Sequence, residues 1–116
     1  MAAQIIIDNI SRTYEYVVII NGNEISRVFP LKTVDFTVSP GHHEITFRDS
    51  DSEADLPSSC KPICFEIADN KILHLQIDTK NLVIWITDTV GTHLNGQHGF
   101  LCGKVSGGVY VENPIT

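Results

Sequence analysis

The stretch Thr33-Val34-Asp35-Phe36-Thr37-Val38 alternates apolar and polar residues without a break. After Ser39-Pro40-Gly41 the alternation resumes in His43-Glu44-Ile45-Thr46-Phe47-Arg48. A period of two sends Val34, Phe36 and Val38 to one side of an extended chain, and His43, Ile45 and Phe47 to one side of the next. The pattern recurs downstream. Ile63, Phe65 and Ile67 oppose Cys64, Glu66 and Ala68, and Leu73, Leu75 and Ile77 oppose His74, Gln76 and Asp78. No segment sustains the 3.6-residue period of an amphipathic helix. A chain patterned in this way is predicted to consist of strands.

Turn chemistry separates those strands. Asn21-Gly22 follows Tyr14-Glu15-Tyr16-Val17-Val18-Ile19-Ile20 and marks a hairpin, because both central residues of a type I′ turn need positive φ. Pro30 ends the returning strand because it has no N–H to donate. Pro40-Gly41 and Asp69-Asn70-Lys71 mark two more turns. Residues 4–8 form a first strand, and Val109-Tyr110-Val111 a last one after a segment rich in glycine. Strands at this spacing predict an all-β fold, a small antiparallel β-sandwich of about seven to nine short strands. The whole of 1–116 is expected as one domain, with 88–116 as a Gly-rich C-terminal extension packed on it.

Composition narrows the function classes. The formal charge of −6, with eight scattered Lys and Arg, disfavours nucleic acid and an anionic membrane surface. The run Asp49-Ser50-Asp51-Ser52-Glu53-Ala54-Asp55 reads as a solvated loop, since it lacks the glycine and the bidentate Glu of an EF-hand. Ile5-Ile6-Ile7 is too short for a signal peptide or a membrane span, so a cytoplasmic location is expected. The odd number of cysteines, three, fits thiols in a reducing compartment better than a disulfide framework.

The motifs Val17-Val18-Ile19-Ile20-Asn21-Gly22-Asn23, Val34-Asp35-Phe36-Thr37-Val38 and Pro40-Gly41-His42-His43-Glu44-Ile45 resemble the PEGA-type and related bacterial β-sandwich domains over about residues 17–77. On that match His43 takes the family's histidine position and His42 its variable one. The Gly-Tyr of the PEGA pattern is absent after the histidine strand, where the acidic run stands instead. The resemblance implies an immunoglobulin-like or transthyretin-like sandwich that serves as a binding or structural module, without catalytic residues. His43 then belongs to the scaffold, bonding nearby backbone and capping the core face.

Three functions are weighed on the residues. The first is a non-enzymatic protein–protein interaction or structural module that binds a protein partner or a second copy of itself through an edge strand or the Val83/Trp85 face. Leu82, Ile84 and Ile86 would line the core while Val83 and Trp85 project outward, with Tyr110 as a further contact; alternatively the strand, apolar on both faces, is central and the Gly-rich tail covers Trp85. The second is a carbohydrate-binding domain in which Trp85, Tyr14, Tyr16 and Tyr110 stack on a sugar. The third is a hydrolase built from Cys102, His93 and His98, which lack a nucleophile-elbow context, or a metal-binding protein using His42, His93, His98 and Cys102, whose spacing is poor for zinc. No cofactor is expected.

Overall fold

Alternation in sequence becomes alternation in burial: Ala3, Ile5, Ile7 and Asn9 are buried along the first strand, while Gln4, Ile6 and Asp8 are half-buried on its other face. The computed structural model describes residues 2–50, 60–80, 83–89, 94, 101–107 and 109–112. Among them are ten strands: β1 (Ala3–Asn9), β2 (Tyr16–Ile20), β3 (Asn23–Val28), β4 (Thr33–Val38), β5 (Gly41–Asp49), β6 (Ile63–Ile67), β7 (Ile72–Lys80), β8 (Val83–Thr87), β9 (Leu101–Ser106) and β10 (Val109–Glu112). They form a smaller sheet, β4-β1-β7-β8, and a larger one, β10-β9-β6-β5-β2-β3.

The two sheets pack face to face as a β-sandwich. Ile5, Ile7, Leu73, Leu75, Ile77, Ile84 and Ile86 of the smaller sheet meet Tyr16, Val18, Ile45, Phe47, Ile63, Phe65 and Ile67 of the larger. Burial of one such aliphatic side chain contributes roughly 1.5–3 kcal/mol, so this layer supplies the main driving force. No helix among the described residues is long and apolar enough to cross a membrane.

The turns follow from local sterics. Asn21 and Gly22 adopt φ of 52° and 82°, Gly41 sits at 131° and Asn70 at 63°, all at the expected turns. Pro30 does stop β3, and it does so in an unexpected conformation. Lys32 N–H donates to Phe29 O at 3.1 Å, while Leu31 takes φ of 59°. Positive φ at the third residue after Pro at the second is the signature of a type II turn, a position that favours Gly or Asn.

His43 is scaffold, and its surroundings fix its tautomer. Its Nε2 lies 2.7 Å from Ser39 O and must donate there, leaving Nδ1 to accept from Asn21 Nδ2 at 3.0 Å. Asn21 Oδ1 accepts the Glu44 N–H, so one amide clamps the β2–β3 turn to the start of β5. The imidazole also tilts against Phe65 with the ring centroids 5.7 Å apart.

Three features depart from the sequence reading. First, the sheets are mixed: β1 pairs with β7 in parallel, and so does β6 with β9. The chain crosses between sheets repeatedly, so strands distant in sequence arrive side by side pointing the same way. Second, the Gly-rich segment expected as an extension supplies β9 and β10, which complete the larger sheet. Gly103 is required there, because a Cβ would stand 2.6 Å from Cζ of Tyr110. Third, the expectation of three thiols is overturned. Cys64 and Cys102 occupy the same rung of the β6–β9 ladder, with Cα atoms 4.7 Å apart, and form a disulfide. Cys60 is the cysteine outside the bridge; it is buried, and its Sγ accepts from Thr46 Oγ1 at 3.3 Å.

Two stability measurements test this description. The bridge closes a sequence separation of 38 residues. A loop of that size corresponds to roughly 3–4 kcal/mol of chain entropy, so reduction or Cys102→Ser should lower the urea-unfolding free energy by about that amount. Leu31→Gly should raise it by about 1 kcal/mol, because the left-handed conformation costs an L side chain 1–2 kcal/mol. Leu31 is 64% exposed, so little packing is lost in exchange.

Candidate functional site: the β3–β4 edge and the outer face of the smaller sheet

Two edge strands lie on the same side of the sandwich, β3 bounding the larger sheet and β4 the smaller. Between them the inner faces part to leave a groove of about 360 Å³, lined by Ile20, Ile25, Phe36, Val38 and His43, with Asn21 and Asn23 at its rim. Ile25 reaches the groove through a bulge. The β2–β3 register steps from Val18↔Ser26 to Ile19↔Glu24, leaving Ile25 as the extra residue. Bulges re-aim side chains in this way, and they also blunt an edge against further pairing. Ile25 is 45% exposed as a result.

β4 has no such interruption. Its register with β1 runs unbroken from Ala3↔Val38 to Asp8↔Thr33. The Asn9 N–H bonds to Lys32 O, which makes that rung a hydrogen-bonded pair. By the alternation of antiparallel ladders, the peptide groups of Val34, Phe36 and Val38 then face β1. Those of Thr33, Asp35 and Thr37 face the open edge. Among the described residues no strand pairs with that edge. Val34, Phe36 and Val38 are only partly buried against the core, so an added strand would cover apolar surface as well as satisfy peptide groups.

The opposite edge, β8, carries the residues singled out from sequence. Ile84 and Ile86 are buried, Val83 is exposed and Trp85 half-buried, so the alternation places Val83 and Trp85 on the outer face. The ring of Trp85 has Lys80 Nζ 5.6 Å from its centroid and Asp78 opposite it across the ladder. The β8 edge itself is engaged, since Leu94 N–H donates to Ile86 O at 2.7 Å.

Tyr110 does not join this face. It is buried on the other sheet, its ring against Gly103 and its hydroxyl donating to Cys64 O at 3.4 Å. Tyr16 is fully buried too and hydrogen-bonded to Thr79, and burial pushes its phenol up to about 12. Tyr14 stacks on Tyr16 with centroids 6.3 Å apart. The four aromatics proposed for sugar stacking are therefore not gathered around Trp85.

The Cys/His constellation is also dispersed. Cys102 is bonded to Cys64 and offers neither a thiolate nucleophile nor a metal ligand in this state. His42 is exposed on the outer face of β5. His93 and His98 lie outside the described residues. Among the described residues, no group of three or more His, Cys, Asp and Glu side chains is placed to hold one ion.

Sequence reading missed a polar network on the outer face of the smaller sheet. Asp8 accepts from Thr33 Oγ1 at 2.6 Å and from His74 Nε2 at 2.6 Å. The parallel β1–β7 pairing brings residues 66 positions apart to neighbouring strands, and no local pattern announces that. Comparison of the chain with family models, curated proteins and solved structures found no match.

Partial burial raises the Asp8 carboxyl, but the hydrogen bonds from Thr33 and His74 and the coulombic attraction of His74 outweigh it. The carboxyl is held below its ordinary value of 3.8. A depressed carboxylate stabilises the fold fully above its unfolded value and loses that contribution as pH falls through the lowered one. Thermal unfolding followed as a function of pH should therefore show a steeper decline below about pH 4 in the parent protein than in Asp8→Asn. Parallel acid limbs would remove Asp8 from the account.

Proposed function

We propose that this domain is a non-enzymatic protein-interaction module that receives an extended polypeptide segment along β4, over the groove between β3 and β4. The observation that carries this reading is the asymmetry of the edges. β3 is blunted by its bulge, β8 meets Leu94 and β10 is only four residues long, whereas β4 presents the peptide groups of Thr33, Asp35 and Thr37 in an unbroken ladder. Main-chain pairing at such an edge supplies affinity, and pockets for alternate side chains supply selectivity. Ile20, Ile25, Phe36 and Val38 form the apolar floor on which the incoming residues would rest.

The Val83/Trp85 face is the weaker alternative, since Lys80 already stands over the indole and polar neighbours surround it. The Cys64–Cys102 bridge favours an oxidising compartment over the cytoplasm that an odd thiol count suggests.

A peptide-display library of extended segments panned against the folded domain tests the site. Selected peptides should slow amide exchange at Thr33, Asp35 and Thr37. They should lose binding to Asp35→Pro, which removes one outward N–H while leaving the β1 ladder intact. Peptides that still bind Asp35→Pro and are lost on Val83→Ser would move the site to the opposite edge.

A further inference from the structure

Resting on that reading of β4, we infer that the segment it receives is β4 of a second copy, paired antiparallel about a two-fold axis at Phe36. The register of β4 selects this arrangement. Only Thr33, Asp35 and Thr37 turn their peptide groups outward, so a symmetric ladder must match odd-numbered residues with odd-numbered residues. Four two-fold centres, Val34 to Thr37, overlap at least three residues of each copy. Centring on Val34 runs half of each strand past the end of the other, into the Pro30-Leu31 turn, where Leu31 has left the extended conformation. Centring on Asp35 sets two carboxylates directly opposite each other, which like charges disfavour. Centring on Thr37 runs half of each strand past the end of the other, into the Ser39-Pro40 turn, where Pro40 has no N–H to contribute.

Centring on Phe36 has none of these faults. Asp35 faces Thr37 of the second copy, and Thr37 faces its Asp35, giving two symmetry-related hydrogen-bonded rungs. Val34 faces Val38, and the two Phe36 rings meet at the axis in a non-hydrogen-bonded pair, where side chains approach most closely. These apolar residues are the ones left half-buried in the single chain. The axis runs perpendicular to the sheet, so both larger sheets fall on one side of the continuous eight-stranded layer, and each copy's Ile25 flanks the seam. Asp35 thus acts as a register selector, tolerated against threonine and rejected against itself.

Two six-residue strands make a small contact, so the equilibrium is concentration-dependent rather than obligate. Sedimentation equilibrium of the intact chain, from low micromolar to millimolar, should show the mass rising to twice the monomer value. Asp35→Pro should hold it at the monomer value with an unchanged circular dichroism spectrum. Phe36→Cys, mixed at high concentration and oxidised, should cross-link copy to copy through residue 36, because non-hydrogen-bonded partners lie within disulfide reach. That variant also separates the registers, since position 36 opposes itself only in the proposed one.

A monomer mass throughout, with display peptides still binding at β4, would overturn the second copy and leave β4 as the binding edge. A dimer that survives Asp35→Pro would overturn both the inferred seam and its register. Failure of peptides and self-association alike would remove the reading of β4 itself.

Discussion

The strands of this sandwich are placed by one constraint: a strand has two faces, and one of them must be covered by the opposite sheet. Tyr16, Val18, Ile45, Phe47, Ile63 and Phe65 can be dry only if Ile5, Ile7, Leu73, Leu75 and Ile77 stand against them. A slip of one residue in any strand would exchange its buried set for its exposed one. Register is therefore held by the core. The parallel β1–β7 and β6–β9 pairings are accepted because they satisfy that burial, although parallel ladders are slightly less favourable per residue.

Where the strands end, polar side chains take over. Asn9 is buried and fully used: its Nδ2 donates to Tyr14 O at 2.7 Å and to Val28 O at 3.2 Å, and its Oδ1 accepts from the Ser11 N–H. It thereby ties the end of β1 to the end of β3 on the other sheet. Asn21 and His43 do the same work at the opposite end, joining the β2–β3 turn to β5. Unsatisfied, the buried groups of Asn9 and His43 would each cost about 1–3 kcal/mol, so the two ends of the sandwich are fastened by a few side chains rather than by further core.

What the sequence disclosed and what it hid divide along range of interaction. Asn21-Gly22, Pro40-Gly41 and Asn70 announce their turns because the reason is steric and lies within the residue itself. The inward and outward residues of β4 to β7 follow from period two, whereas β8 is apolar on both faces in sequence and only the structure places Val83 and Trp85 outward. The Cys64–Cys102 bond was hidden. Cys64 sits in an obvious strand, but Cys102 lies among glycines whose strand becomes visible only when Tyr110 is seen resting on Gly103. Tyr110 follows the same rule: an aromatic in a short terminal strand looks available until the sheet that covers it is known. The Asp8–His74 pair and the bulge at Ile25 depend on partners far along the chain, and no spacing rule reaches them.

The edges are where the burial constraint is left incomplete, and they are not treated alike. The bulge in β3 and the contact of Leu94 with β8 each interrupt a surface on which another strand could grow. β4 keeps a regular ladder and an apolar inner face that the core covers only in part. A charge on an edge strand usually serves to repel further pairing, and Asp35 stands in the position to do so. It does not close the edge, because it projects toward the outer face while Val34 turns toward the core and Phe36 and Val38 toward the groove. A residue so placed rejects pairings that bring an acid against it and permits those that bring a hydroxyl. On the reading proposed for β4, selectivity is written on one face of the strand and affinity on the other, a division that only a two-faced element permits.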